Sequence, residues 1–219
     1  MGLVFSLFVM LSDVFGEGEI RVSLKERFLE ALRFYPIIPS LRREEAFSRV
    51  LASRACVVLI SSGTIFNLEE YSRELRRHGK LVLVHVDLIG GLGRDQTAVR
   101  FLKEKAQVHG IVTPNSQLII TGRKEGLLTV HRLFAHDSPS IETGIRVLKQ
   151  SKPDFIEVLP GVALAQVVGY LREHFQQPLI AAGLVKTVED VRKILQAGAV
   201  AVDTSAENLW NLNISEKEF

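Results

Sequence analysis

The chain has 219 residues, 47% hydrophobic and 24% charged, with 27 Lys and Arg against 25 Asp and Glu for a formal net charge of +2. That balance excludes a disordered, collagenous or coiled-coil chain, supplies material for a sizeable core, and demands no polyanionic partner. The one cysteine, Cys56, excludes an internal disulfide and a Cys/His zinc module, and it points to a reducing, cytoplasmic compartment.

The run from Met1 to Leu11 is apolar but lacks an early Lys or Arg and a small-residue cleavage pattern. It also falls short of the roughly 20 residues of a membrane span, so neither a signal peptide nor an anchor is expected. Residues 1 to about 20 read either as a start codon placed too far upstream or as a hydrophobic contact in a homo-oligomer. A helix follows over residues 23–34, with Leu24, Phe28, Leu29 and Leu32 on one face and Lys25, Glu26, Glu30 and Arg33 opposite, suited to docking on the main body.

From Pro36 onward short apolar runs alternate with helical patterns. The strands expected are IIPSL from Ile37, CVVLIS from Cys56, LVLVHVDL from Leu81, GIVTP from Gly110, LTVHRLF from Leu128, FIEVLP from Phe155, PLIAAGL from Pro178 and AVAVDTS from Ala199. Helices are expected over 43–53, 68–78, 95–105, 116–124, 138–150, 164–175 and 187–197, with a last short one over 206–211. Gly79, Gly126 and Gly198 fall just past helix ends, where a left-handed stop is wanted. Repeats of about 23 residues suit a compact (β/α)8 TIM barrel, an α/β fold in a single domain, better than an open doubly wound sheet. The division expected is an extension with its helix over 1–34, the barrel over 35–212 and a tail over 213–219.

Alternate strand residues face the barrel axis. Parity puts Leu83, His85 and Asp87 inward in the third strand, Phe155, Glu157 and Leu159 in the sixth, and Ala199, Ala201 and Asp203 in the eighth. The fifth strand leaves two options, His131 or Arg132. Barrel sites lie at the carboxyl ends of strands, where Asp87, Glu157 and Asp203 meet His85, Arg132, Asn115 and Arg42. Inward carboxylates require cations, water or a polar ligand; a polar plug filling the barrel top is the plain alternative.

Loops seven and eight suggest a phosphate site. Ala182 and Gly183 end the seventh strand with a residue lacking Cβ, which permits close approach to a bound group. Asp203, Thr204 and Ser205 lead into a short helix, and Thr204-x-x-Glu207 reads as a capping box at an anion-attracting helix start. Gly161, after the sixth strand, is a weaker candidate for the same mouth. No lysine lies within an expected strand, so a Schiff-base aldolase lacks an obvious nucleophile. No metal-ligand spacing and no compelling catalytic constellation emerge, and no cofactor is expected, although His85 with Asp87 or Glu157 could form an acid–base pair.

Taken together, LVLVHVDLIGGL from Leu81, HRLFAHDS from His131, KPDFIEVLPG from Lys152, PLIAAGLVKTVEDV from Pro178 and AGAVAVDTSAENLW from Ala197 resemble the glycerol uptake operon antiterminator regulatory proteins. The likeness spans Pro36 to Trp210. It implies a barrel that responds to glycerol 3-phosphate and binds the leader of a glycerol-operon messenger RNA, a regulator and not an enzyme. The same resemblance makes Gly183, Thr204 and Ser205 the expected phosphate contacts and matches Asp87, Arg132 and Glu157 to other polar strand-end positions. The chain departs from the family pattern at Asn115, Ala182 and Ala135-His136. RNA binding has no motif of its own here: the densest cationic cluster is Arg73, Arg76, Arg77, His78 and Lys80, with Arg42 and Arg43 earlier, and a solvated helix face is the favoured account of such a cluster. The alternative function is a barrel enzyme acting on a small phosphorylated metabolite.

Overall fold

The computed structural model describes residues 22–213. The apolar amino-terminal run and the end of the tail, with the expectations attached to them, lie outside the described residues. The first element, α1 (Leu24–Phe34), starts in a reciprocal capping box: the Ser23 hydroxyl accepts from the Glu26 amide and the Glu26 carboxylate accepts from the Ser23 amide. Its apolar face, Phe28, Ala31 and Leu32, is buried in one cluster with Val57, Leu81, Leu128 and Phe155 from the amino ends of strands. The helix thereby stoppers that end of the fold, with Phe28 and Leu32 each contributing about 2 kcal/mol of burial.

The strands β1 (Ile37–Leu41), β2 (Val57–Ile60), β3 (Leu81–His85), β4 (Gly110–Thr113), β5 (Leu128–Phe134), β6 (Phe155–Leu159), β7 (Leu179–Ala182) and β8 (Ala201–Thr204) close into a barrel. Each pairs in parallel with its sequence neighbour, and β8 returns to β1 with Asp203 opposite Ile38. Around them lie α2 (Phe47–Ala52), α3 (Ile65–Arg77), α4 (Gln96–Glu104), α5 (Ser116–Lys124), α6 (Ser138–Ser151), α7 (Leu164–Arg172) and α8 (Val188–Gln196). The expected (β/α)8 barrel is the fold.

Period-two alternation divides the strands into two buried layers. Ile38, Leu59, Leu83, Val112, Val130, Phe155, Ile180 and Ala201 fill the axis. Val58, Val82, Val84, Ile111, Ile156, Val158 and Val202 pack against the helices. Gly79, Gly126 and Gly198 stop helices at φ +72, +73 and +98.

Three local expectations are corrected. The third strand ends at His85, and Asp87 lies in a 3-10 turn over Val86–Leu88, where Thr113 and Arg94 engage its carboxylate. The eighth strand begins only at Ala201, because the Ala199 amide still bonds the Ile194 carbonyl at the end of α8; Ala199 therefore packs in the outer layer and not on the axis. The helix expected over 206–211 is a 3-10 turn of three residues, Glu207–Leu209.

Candidate ligand site at the carboxyl end of the barrel

A cavity of about 320 Å³ opens at the carboxyl ends of the strands. Its floor is made of side chains that end strands on the axial face: Ser40 of β1, Ser61 just past β2, Arg132 of β5 and Asp203 of β8. Ser40, Ser61 and Asp203 are buried, and the side chain of Arg132 is only 10% exposed. The mouth is exposed and is formed by Arg42, Gly183, Leu184, Lys186 and Ser205.

The open question in β5 is answered by charge. Arg132 faces the axis, whereas His131 points into the helix layer and its Nδ1 lies 2.9 Å from the Ser151 hydroxyl. Arg132 and Glu157 are register partners on β5 and β6, so their side chains emerge side by side, and Nε donates to Oε2 at 2.5 Å. The other side of the guanidinium faces Asp203, with Nη2 and Oδ2 3.8 Å apart. Burial opposes the charge of Arg132, but Glu157 and Asp203 hold the guanidinium above its ordinary pKa. One cation thus serves two carboxylates. Burial and the nearby Glu157 carboxylate push Asp203 well above the usual carboxylate range, against the pull of Arg132. Its Oδ1 is buried with no hydrogen-bond partner among the described residues.

His85 and Asp87 border this group without lining the cavity. Burial, reinforced by Arg132, lowers His85 to about 4, so its 3.7 Å approach to Asp87 is a contact of a neutral ring and not an ion pair. Asp87 is anchored by the Thr113 hydroxyl at 2.8 Å and by Arg94 at 3.3 Å.

Loop seven supplies backbone. Gly183 at φ +81 is followed by Leu184 at φ +61, a left-handed pair that turns the chain across the mouth; such a φ is costly for leucine, whose side chain stands 64% exposed. Among the described residues, the amides of Gly183 and Ser205 meet no protein acceptor. Gly161 stays outside the lining. A Cβ there would come within 2.9 Å of the Ala182 nitrogen, so this glycine lets loop six pack on β7 and support Gly183, whose carbonyl accepts from the Gly161 amide.

The capping box expected at Thr204 and Glu207 is not formed. The Thr204 hydroxyl accepts from the Ala206 amide and donates to the Val185 carbonyl, tying loop eight to loop seven, while Glu207 pairs with Arg43 and Arg49. With only a three-residue turn behind it, loop eight has no helix dipole to offer an anion; the attraction of the mouth rests on Arg42, Lys186 and backbone amides. Ser40, Ser61 and Lys186 were not among the residues singled out from sequence. Ser40 lies one residue before the end of β1 and Ser61 just past the end of β2, and Lys186 follows Gly183 in the loop already favoured for phosphate.

The cationic cluster is reduced. Lys80 is buried at the amino end of β3, bonded to the carbonyls of Ser53 and Ala55, and burial lowers it to about 8; Arg73 and Arg77 both pair with Glu74.

The family model for the glycerol-3-phosphate responsive antiterminator matches residues 37–210. The chain belongs to this family. Every lining residue of the cavity, from Ser40 to Ala206, falls inside the match. The glycerol uptake operon antiterminator regulatory protein of Listeria monocytogenes is 30% identical, with a TM-score of 0.76 over 80% of this chain and 95% of that one. A glycerol uptake operon antiterminator-related protein of Thermotoga maritima is 34% identical, with a TM-score of 0.71 over 80% and 96%. The protein YgcP of Escherichia coli K12, described as uncharacterized, is 33% identical over 184 residues, 84% of this chain and 96% of its own. A deoxyribose phosphate aldolase of Aeropyrum pernix, 13% identical with a TM-score of 0.65 over 94% of each chain, shares the barrel fold alone. Among the described residues, no helix is long and apolar enough to cross a membrane, and no cluster of His, Cys, Asp or Glu could hold a metal ion.

Proposed function

We propose that this chain is a transcription antiterminator that senses glycerol 3-phosphate, or a closely similar small phosphate, in the barrel cavity and acts on the leader messenger RNA of a glycerol-utilisation operon. The observation that carries the reading is the cavity itself: exposed Arg42 and Lys186, with the Gly183 and Ser205 amides, ring a polar chamber in a member of a glycerol-3-phosphate responsive family. Phosphate binding at loops seven and eight is a recurring use of this fold. Arg132 is already bonded to Glu157, and neutral His85 does not line the cavity, which favours binding over chemistry.

For the RNA, the carboxyl end of the barrel offers aromatic faces. Phe66, 91% exposed near the start of α3, and Phe134, stacked on His136 at 5.6 Å, are surfaces on which unpaired bases can stack. Ligand binding regulates the RNA complex to the extent that the ligand prefers one arrangement of these loops.

Calorimetry with glycerol 3-phosphate, glycerol and inorganic phosphate, followed by RNA gel shifts with and without the phosphate compound, tests the reading. Binding of glycerol 3-phosphate without turnover, accompanied by ligand-dependent RNA retention, is expected. Turnover would replace it with a barrel enzyme acting on a small phosphorylated metabolite, and a ligand-binding chain indifferent to RNA would remove the regulatory half.

A further inference from the structure

The cavity is graded by depth. Its formal cations, Arg42 and Lys186, are at the exposed mouth, whereas the one cation at the floor, Arg132, is already engaged by Glu157 and faces Asp203. A phosphate dianion therefore has no reason to descend: at the floor it would meet the Asp203 carboxyl and a guanidinium already bonded to Glu157 behind it. The remaining floor groups are hydroxyls and one unpartnered carboxyl oxygen. Ser40 and Ser61 are 3.0 Å apart at Oγ, so one hydroxyl donates to the other, and Ser40 lies close enough to Asp203 to favour its charged form; the serine pair keeps acceptor capacity to spare. Asp203 Oδ1 is buried and unpaired, a state that costs free energy until a partner arrives.

We propose that Asp203, Arg132, Ser40 and Ser61 form a hydroxyl-reading subsite that holds the polyol end of the ligand while its phosphate stays at the mouth. The assignment rests on the reading of the cavity as a small-phosphate site and adds the feature that sets its specificity. A hydroxyl both donates and accepts, so a short polyol chain satisfies Asp203 and the serine pair together. An unhydroxylated chain of equal length covers the same polar groups and leaves them unsatisfied; sites built around a ligand hydroxyl reject its deoxy analogue strongly for this reason. The volume of about 320 Å³ corresponds to about ten waters at liquid density, which suits a three-carbon phosphate.

The test is calorimetry on the whole chain with sn-glycerol 3-phosphate, n-propyl phosphate and inorganic phosphate. Glycerol 3-phosphate is expected to bind about 100-fold more tightly than propyl phosphate. The Ser40→Ala, Ser61→Ala double variant should narrow that gap about tenfold and leave inorganic phosphate unchanged, and Asp203→Asn should narrow it too. Equal affinity of wild type for the two organic phosphates overturns the subsite while leaving the phosphate site standing, and this comparison requires no variant to fold. Failure of all three compounds to bind overturns the small-phosphate reading and the subsite with it. Variants that weaken inorganic phosphate as much as glycerol 3-phosphate also overturn the subsite.

Discussion

The Nε of Arg132 stands 2.5 Å from Oε2 of Glu157, across the register of two adjacent strands and almost wholly out of solvent. Such a pair contributes little net stability relative to apolar residues of the same shape, yet losing one partner is expensive because the other charge stays buried. Arg132→Met is therefore expected to lower unfolding free energy by about 3–5 kcal/mol, read from urea midpoints. Adding Glu157→Gln to that variant should recover part of the loss, since it removes the stranded charge. Additive damage in the double variant would contradict the pairing.

Acid stability follows from three buried rings. Burial holds His85, His109 and His131 at about 4, against about 6.5 for the unfolded side chain. Between those values the unfolded chain binds more protons at these sites, so stability is lost as pH falls from about 6.5 towards 4. Asp203, raised in the fold by burial and by Glu157, works in the opposite sense, one group against three. Urea midpoints should fall steadily from pH 7 to pH 4.5, and His131→Gln should make the slope shallower by about one proton. A midpoint independent of pH would overturn this.

Two glycines near the mouth should fail differently. Gly161→Ala forces a Cβ against backbone, 2.9 Å from the Ala182 nitrogen, and should cost about 1–3 kcal/mol while disturbing loop seven and ligand affinity together. Gly183→Ala meets only the Leu159 side chain at 3.6 Å, so its cost is conformational, about 1 kcal/mol for φ +81. Thermal unfolding and calorimetry on the two variants separate steric from conformational effects.

The mouth cations should act on affinity and not on folding. Arg42 and Lys186 are exposed and line the cavity, and each contact with a phosphate oxygen is a charge-assisted hydrogen bond. Lys186→Ala or Arg42→Ala is expected to weaken glycerol 3-phosphate about tenfold. The urea midpoint should stay at the wild-type value. Unchanged affinity in both variants would remove the phosphate from this end of the barrel.

The proposed RNA contact is expected at one end of the barrel. Phe66 stands at the carboxyl end near the start of α3, whereas Arg76 and Arg77 close the same helix at the opposite end. Phe66→Ala should weaken a single-stranded leader about tenfold with no change in stability, since a stacked base is worth about 1–3 kcal/mol. Charge reversal at Arg76 and Arg77 should flatten the salt dependence only if phosphates run along that lower helix end. Gel shifts at several salt concentrations read both outcomes.

The barrel was legible because eight apolar runs recur at near-equal spacing and because each alternates cleanly enough to separate axis from shell. Legibility failed where one residue had two plausible directions. In LTVHRLF a polar side chain occupies each parity, and only the carboxylates of Glu157 and Asp203 on other strands fix Arg132 as the inward one. Glu207 misled for a related reason: three residues after Thr204 it fits a cap, but its partners Arg43 and Arg49 lie 164 and 158 residues away in the chain. Ser40 and Ser61 escaped notice because a serine at a strand end is ordinary until the barrel closes and sets the two hydroxyls 3.0 Å apart.

With Phe28, Ala31 and Leu32 of α1 packed into its amino end, the barrel is a cup and not a tube. Whatever enters by the rim leaves by the rim. A macromolecule seated across those loops then sets how fast the contents exchange, and because coupling between two binding events is reciprocal, the contents set how firmly the rim is held.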